Sequence, residues 1–406
     1  MLIALCLFFQ PTIAYSLENY DALTLESAKV FEVPKPINYK LKHSNGFFWG
    51  INKTNNSLNI IQFNRSRIFL DPLNSVQIKT LEFSFNEDAF LSDFEIVEDC
   101  VWLSLNYFNL GHVHNSLIEY NTKTDKFTFY PYPHEYPVTY EASLPTILCY
   151  DKEKGMIYFL NNNCGLLFFF SLENKQWLNN SLQLNDFYVT ALKVKNKNLY
   201  ICGQQLSHGK GFAGYISLDS LQSFWFAHER VAQFDAFVFD LEGNMWCLSK
   251  SEKILSLFNS NHFVDYNLNP MAKATDLILD NMKGNIWLTD TESQKVYRFC
   301  LLNKAFAIHF RTNPLIPTSL VSDEKNFTWI FGATNDGHFG FTCVEKAYDV
   351  NNDYKVDMKD LGIVLRSLWK TQGDMEFIKR IDIENDGIIS MKDLAYIVKY
   401  LHITLY

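Results

Sequence analysis

Short apolar runs broken by Asn, Asp and Gly recur through residues 17–344, and one run in each group holds a Trp or Tyr. These markers are Trp49 in FFW, Trp102 in CVW, Tyr158 in MIY, Tyr200 in NLY, Trp246 in NMW, Trp287 in NIW and Trp329 in FTW. Successive markers are 53, 56, 42, 46, 41 and 42 residues apart, which defines seven units. In FVFDLEGNMWCLSKSEKILSLFNSNHFVDYNL one strand precedes a turn at Gly243, the next carries Trp246, and two more follow around Ile254–Phe258 and His262–Tyr266. The stretches containing Gly284 and Trp287, and Gly155 and Tyr158, repeat that order. Each unit therefore reads as four short strands joined by Asx- and Gly-type turns.

A four-stranded sheet with two apolar faces cannot bury both by itself. Radial stacking of such sheets does so and leaves only short edges, so the expected fold is an all-β seven-bladed β-propeller over residues 17–344. The markers are expected to fill the gaps between blades. The seventh unit lacks an outer strand of its own. The stretch AKVFEVPKP at 28–36 resembles the outer strands at 126–133 and 262–270. Lys29–Val33 is therefore expected to complete the last blade and remove an open edge.

The phrases DLEGNMW (240–246) and DNMKGNIW (280–287) resemble the blade grammar of the streptogramin-lyase-like propellers. That resemblance implies histidines at equivalent places of neighbouring blades, with a nearby carboxylate. Here His112, His208 and His338 stand 10, 8 and 9 residues after their markers, but in the second, fourth and seventh units. They are not neighbours around a ring, so no catalytic residue is assigned. His112 and His114 are two apart on a strand and offer two metal-binding nitrogens without a third ligand, and Glu141 and Glu229 are no stronger as candidates. The rim segments NYFNLGHVHN and FYPYPHEYP are suited to a carbohydrate or peptide ligand, through ring stacking and side-chain amides.

The pattern changes after residue 344. Two twelve-residue acidic stretches, DVNNDYKVDMKD (349–360) and DIENDGIISMKD (382–393), begin 33 residues apart. Calcium requires about seven oxygens in a flexible shell, and a loop of this length supplies them at positions 1, 3, 5, 7, 9 and 12. Those positions hold Asp349, Asn351, Asp353, Lys355, Asp357 and Asp360 in the first loop. In the second they hold Asp382, Glu384, Asp386, Ile388, Ser390 and Asp393. Lys355 and Ile388 would contribute backbone carbonyls, and Val356 and Ile389 would pair across the loops. Gly387 suits the sharp turn at position 6; Tyr354 stands there in the first loop. Helical apolar spacing follows each loop, in LGIVLRSLW at 361–369 and LAYIVKYLH at 394–402.

Loop, helix, linker, loop, helix, with Asp at position 12, resembles a type I dockerin over residues 348–403. The resemblance implies a small all-α domain at 345–406 with two Ca2+ ions and a cohesin-like partner. The partner would be bound through loop positions 10 and 11 and sites along the helices. These are Met358, Lys359, Leu365 and Arg366 in the first half, and Met391, Lys392, Val398 and Lys399 in the second. The repeated Met-Lys pair gives a near two-fold surface.

Composition narrows the function classes. With 48% hydrophobic and 16% aromatic residues the chain can bury large cores, and its net charge of −9 argues against a nucleic-acid partner. Residues 1–16 read as a secretory signal peptide, or else as a buried first strand, and no stretch is suited to span a membrane. A secreted or cell-surface location is expected. Cys202, Cys247, Cys300 and Cys343 lie in apolar runs and read as core thiols. Two alternatives stand beside the docking reading. One is a propeller enzyme, a lyase or carbohydrate-active, carrying the tail as an attachment tag. The other is a structural role in which the loops only brace the propeller.

Overall fold

The computed structural model describes residues 23–25, 29–31 and 41–404, less 54–56, 65–75, 83–88, 110–111, 134–145, 163, 260–261, 281–284, 313–314, 323–327, 336–338, 347–354, 357, 372, 375–380, 382–386 and 400–402. The chain divides between Cys343 and Val344 into two compact units, the short strand Leu23–Leu25 grouping with the second.

Two short strands, β1 (Leu23–Leu25) and β2 (Lys29–Phe31), precede seven antiparallel sheets. The first sheet holds β3 (Lys42–Ser44), β4 (Phe47–Lys53), β5 (Ser57–Asn64) and β6 (Val76–Glu82). The second holds β7 (Ala89–Val97), β8 (Cys100–Asn109), β9 (His112–Asn121) and β10 (Lys126–Pro131). β11 (Thr146–Asp151), β12 (Met156–Asn161), β13 (Leu166–Ser171) and β14 (Gln176–Gln183) form the third. The fourth comprises β15 (Phe187–Lys195), β16 (Asn198–Gln205), β17 (Lys210–Ser217) and β18 (Ser223–Ala227). The fifth is β19 (Ala236–Phe239), β20 (Met245–Ser249), β21 (Ile254–Asn259) and β22 (His262–Asn267). In the sixth, β23 (Ala274–Asp280), β24 (Asn285–Asp290), β25 (Lys295–Cys300) and β26 (Ala305–Arg311) follow the same order. The seventh has only β27 (Ile316–Ser322), β28 (Thr328–Ala333) and β29 (Phe339–Lys346) from its own stretch of chain.

The missing outer strand comes from the N-terminal side. β2 pairs with β29 in the register Lys29↔Phe341, Val30↔Gly340 and Phe31↔Phe339. Residues 32–33, also expected in this strand, lie outside the described residues. β1 extends the same edge, from Leu23↔Lys346 to Leu25↔Val344. The innermost strands β3, β7, β11, β15, β19, β23 and β27 touch in sequence, and β27 touches β3, so the ring is closed.

All seven marker aromatics stand on the second strand of their blades, and four of them make a ring contact with the blade that follows. Trp102 lies 5.4 Å from Phe170, Tyr200 4.7 Å from Phe239, and Trp246 5.8 Å from Phe299. Trp329 reaches Phe48 of the first blade at 4.8 Å, so the last gap is filled like the others. Trp49 and Tyr158 belong to cores shared with the second and fourth blades. Six markers are buried and Tyr200 is half-buried.

The blade phrase has a local cause. The Asp240 carboxylate accepts hydrogen bonds from the Asn244 backbone N–H (2.8 Å), the Asn244 amide (3.0 Å) and Trp246 Nε1 (2.9 Å). Gly243, at φ 94°, lets the turn come round to those donors. Asp151 plays the same part in the third blade and accepts from the Tyr158 hydroxyl at 3.0 Å. One aspartate thus shapes the turn and fixes the aromatic that seals the next gap.

Innermost strands β7, β15, β23 and β27 each carry a bulge at a small hydroxyl residue: Ser92, Thr190, Thr275 and Thr318. Glycine faces two of these kinks. A Cβ on Gly203 would sit 2.0 Å from the Tyr188 carbonyl oxygen, and one on Gly332 would sit 2.1 Å from that of Ile316. The free thiols of Cys202, Cys247 and Cys300 are buried, as expected of core residues, while the Cys343 side chain lies outside the described residues.

Asp240→Ala is expected to lower stability by about 1–3 kcal/mol, because it strands the buried indole N–H of Trp246. Leu241→Ala, at an exposed neighbour, should stay within about 0.5 kcal/mol, and urea unfolding monitored by tryptophan fluorescence reads both. Deleting residues 1–31 should unpair the outer edge of β29. Amide exchange at Phe339–Phe341 should then rise roughly tenfold or more, with smaller changes in the third to fifth blades.

Candidate functional site

The closed ring leaves a cavity of ≈ 420 Å³ on its axis, walled by the innermost strands of all seven blades. Strand register shows which residue each blade brings to one level of this bore. The partner of the marker aromatic is Lys42, Glu95, Cys149, Lys193, Val238, Ile278 and Val321 in blades one to seven. Of these, Lys42, Glu95, Cys149, Lys193 and Ile278 line the cavity, whereas Val238 packs with Trp246 in the core between blades five and six.

The ionisable side chains are ordered. Lys42 Nζ lies 2.9 Å from Glu95 Oε1 and 3.9 Å from Asp93 Oδ1. Burial works against the Lys42 charge, but Glu95 and Asp93 outweigh it and raise its pKa above the usual lysine range. Burial foremost, with Asp93 adding repulsion, holds the Glu95 carboxyl above the usual glutamate range against the pull of Lys42. The Lys193 ammonium stands 5.4 Å from the centre of the Phe237 ring. Burial pushes the Cys149 thiol up to about 12, which keeps it protonated and unsuited to nucleophilic attack at neutral pH.

The two aspartates of the cavity are occupied with backbone. Asp93 accepts from the N–H of Phe94 (2.9 Å) and from that of Leu148 in the next blade (3.0 Å). Asp276 repeats this with Leu277 and Leu320, both at 2.9 Å. These carboxylates staple neighbouring innermost strands together just beyond the bulges.

No histidine is among the residues lining the cavity. His228 is buried, accepts at Nδ1 from the N–H groups of Arg230 and Val231, and meets Asp265 through Nε2 at 2.8 Å. It fixes the turn after β18. His208, His262 and His309 are exposed. His112 and His114 lie in β9, with side chains outside the described residues; His338, Glu141 and residues 134–137 of the second rim segment also lie outside them. In the rest of that segment Tyr130 is half-buried and Tyr132 is buried against Phe159, Phe168 and Trp177, so neither ring is free to stack on a ligand.

Sequence reasoning passed over Lys42, Asp93, Glu95, Lys193 and Asp276. A signal existed: each level-defining residue precedes its marker by seven to nine positions. Without the pairing register, nothing separated it from other strand residues.

The C-terminal unit holds β30 (Lys355–Val356), α1 (Met358–Ser367), α2 (Met391–Lys399) and β31 (Ile403–Thr404). Both helices start at loop position 10, three residues before the apolar stretches read from sequence. Ser390 explains the start of α2: its hydroxyl accepts the Lys392 N–H at 3.1 Å, while the Asp393 carboxylate accepts the Ser390 N–H at 2.7 Å. This reciprocal pair is a capping box. α1 ends at Ser367, and Trp369 turns to φ 66° so that its N–H donates to Ile389 O at 2.7 Å. Trp369, which the helical spacing placed on the buried face, is therefore 67% exposed.

The expected pairing of Val356 with Ile389 across the loops is not the one formed. Lys355 pairs with Thr404 and Val356 with Ile403, whereas Ile388 bridges Thr371. Each loop pairs with the segment beyond the other loop's helix, and both members of one bridge are offset by 33 residues from those of the other. The loops are thus related by an internal two-fold, which puts corresponding residues in like surroundings.

Asp349, Asn351, Asp353, Asp357, Asp382, Glu384 and Asp386 lie outside the described residues. Of the remaining ligand positions, Asp360 and Asp393 are 0% exposed. Burying a carboxylate in so small a unit costs several kcal/mol unless cations and donors meet it, so these side chains suit a calcium loop's last position. Lys355, Ile388 and Ser390 lie in described backbone, where Lys355 and Ile388 could present carbonyl oxygens. Among the described residues no group of three or more His, Cys, Asp or Glu converges as a metal site. On the helices, Met358, Lys359, Leu365, Arg366, Met391, Lys392 and Val398 are exposed, and the side chain of Lys399 lies outside the described residues. Val364, Ile381, Ile389 and Leu394 are buried beneath them.

The class defined by this architecture is a seven-bladed β-propeller followed by a small two-helix unit with paired loops, and comparison with known proteins gives the second part a family likeness and the first a likeness of fold. Residues 347–402 match the dockerin type I domain, from which calcium binding and cohesin docking follow. Among solved structures, a streptogramin B lyase superposes with a TM-score of 0.59 at 15% identity, covering 81% of this chain and all of that one. A catalytically inactive virginiamycin B lyase from Staphylococcus aureus, crystallised with quinupristin, gives 0.58 at 14% identity over 79% of this chain and 99% of its own. A chain of the mitotic checkpoint complex reaches 0.57 at 11% identity, over 82% and 98%. At such identities the likeness is one of fold. No curated protein matches the chain in sequence. No described helix is long and apolar enough to cross a membrane.

Asp393→Ala should remove both the cap of α2 and the last loop ligand, at a cost of about 1 kcal/mol for the cap alone. In the full chain, calcium should slow amide exchange across 391–399 in the wild type and in Lys392→Ala, but not in Asp393→Ala.

Proposed function

We propose that this is a secreted or cell-surface protein whose C-terminal dockerin domain attaches a ligand-binding propeller to a cohesin-type partner. Two calcium ions hold the domain together. Asp349, Asn351, Asp353, Asp357 and Asp360 with the Lys355 carbonyl form one shell. Asp382, Glu384, Asp386, Ser390 and Asp393 with the Ile388 carbonyl form the other. The observation that carries this reading is the pair of fully buried carboxylates, Asp360 and Asp393, at equivalent ends of two loops related by a two-fold. A cation offsets the burial of each, and without it the helices lose their anchor.

Docking is supported over bracing by the exposure of the repeated pair. Met358 and Met391 are 60% and 55% exposed, with Lys359 and Lys392 exposed beside them. Met side chains adapt to a partner surface, and the adjoining lysines add charge selectivity. Leu365, Arg366, Val398 and Lys399 extend the surface along the helices.

For the propeller, the axial cavity favours a binding role, its volume lying within the range of small-molecule sites. An enzymatic role has the Lys42–Glu95 pair in its favour. Against it, both aspartates are committed to backbone N–H groups and the one thiol of the bore stays protonated. A carbohydrate or peptide at the rim remains part of the reading, at residues 106–115, whose side chains lie outside the described residues, and at 134–137.

The full chain should be retained by an immobilised cohesin with calcium and released by chelator. Met358→Glu or Met391→Glu alone should weaken capture only a few-fold, since either half can face the partner. The double variant should weaken it about a hundredfold or more, as burying a new unpaired charge in either orientation would require. Capture that survives chelation would sink the proposal.

A further inference from the structure

The ring builds one arrangement twice and supplies its cation only once. In blade two, Asp93 stands just beyond the bulge and accepts from the N–H groups of Phe94 and, in the next blade, Leu148. The Lys42 ammonium of blade one reaches that carboxylate at 3.9 Å and Glu95 at 2.9 Å. In blade six, Asp276 holds the equivalent place and accepts from the N–H groups of Leu277 and Leu320 in the same way. Blade five, however, has Val238 where blade one has Lys42, and Ile278 stands where blade two has Glu95. Among the described residues no salt bridge is made to Asp276. Each of its oxygens takes one backbone N–H, which leaves each a lone pair for a further donor.

The charges of the bore count the same way. Its described lining carries three carboxylates, Asp93, Glu95 and Asp276, against two lysines, Lys42 and Lys193. Lys42 is held by Glu95 and Asp93, and Lys193 lies over the Phe237 ring of blade five. The bore is formally one positive charge short, and the shortfall is at Asp276.

We infer that the axial bore binds a small organic ammonium ion, with its N–H groups on the Asp276 carboxylate and its apolar body against Ile278 and Leu320. The Lys42–Asp93 contact shows that a primary ammonium can approach a carboxylate held in this way. Ile278 in place of Glu95 changes what must follow the nitrogen: hydrocarbon suits that wall, and a second charge does not. A buried ion is tolerated where it is paired, so a monocation at Asp276 satisfies both itself and the carboxylate. A carboxylate ligand would instead add a fourth negative group to the bore. The inference rests on the reading of the propeller as a ligand-binding half and gives that ligand a chemical class.

Three probes of equal length separate the possibilities: hexylamine, hexan-1-ol and hexanoate, titrated calorimetrically into the full-length protein with calcium. Hexylamine should bind about tenfold or more tighter than hexanol, the scale of one charge-assisted contact, and hexanoate should not bind measurably. Asp276→Asn should bring hexylamine down to the level of hexanol and leave hexanol unchanged. In the wild type, hexylamine should slow amide exchange several-fold over 316–322, which holds Leu320, and leave 146–151, which holds Leu148, as it was. This measurement keeps the test decisive if Asp276→Asn fails to fold. Hexanol or hexanoate binding as tightly as hexylamine would overturn the ammonium assignment while leaving the bore a ligand site. Equal protection of the two segments, or an Asp276→Asn affinity like that of the wild type, would overturn the placement at Asp276. Absence of binding by all three would overturn both the assignment and the bore as a small-molecule site. Cohesin capture, measured on the same sample, reports the tail independently.

Discussion

The architecture depends on filling the wedge between adjacent blades. Seven twisted sheets arranged around an axis diverge outward, and the gap between each pair must be filled with something large, apolar and fixed in place. Trp and Tyr on the second strands supply that volume. In the third and fifth blades an aspartate at the preceding turn holds the aromatic by its polar atom, so its position is set by hydrogen bonding as well as by packing. The contact of Trp329 with Phe48 shows that the final gap is closed by the same means as the internal ones. β2 and β1 then complete the seventh sheet from the other end of the chain.

That same register determines what faces the axis. Opposite every marker, on the innermost strand, lies a residue whose chemistry varies from lysine to valine around the ring, and two of these, Cys149 and Val238, pack in the same core as their markers. The bulges on β7, β15, β23 and β27 turn the strand so that a hydroxyl residue takes up the extra length. Asp93 and Asp276 then link their strands to the neighbouring blade. The carboxylates of the bore are therefore of two kinds: two that hold the wall together, and Glu95, which meets the Lys42 ammonium as well as the Tyr150 backbone.

The C-terminal unit obeys a different constraint. Its apolar core is small, formed around Val364, Ile381, Ile389 and Leu394, and buried carboxylates sit beside it. Asp393 is met there by the Ser390 N–H and hydroxyl, and a bound cation would offset the burial of both carboxylates further. The two-fold offset of its bridges places equivalent residues in like surroundings, and the outward Met and Lys residues inherit that symmetry. Symmetry at the ion loops thus becomes symmetry at the surface.

Much of this was legible in the sequence. The spacing of Trp and Tyr fixed the number of blades, since a gap of constant size needs a filler at a constant interval. The segment at Lys29 revealed the closure because an unpaired edge on β29 needs a strand, and the resemblance of that segment to other outer strands supplied one. The acidic stretches pointed to calcium loops because hard-cation coordination requires oxygens at set positions within one continuous segment, and the match to the dockerin type I domain supports calcium binding by that region. What the sequence alone could not show was anything that depends on pairing between distant residues. Val356 meets Ile403 rather than Ile389, and Trp369 is exposed where helical spacing buried it, because the bridge partner of each loop lies beyond the opposite helix. Lys42, Glu95 and Lys193 share one level of the bore although about fifty to a hundred residues separate them, a proximity set by cross-strand register around a closed ring. Local periodicity determined the elements and their number; only the ring and the two-fold decided which side chains meet.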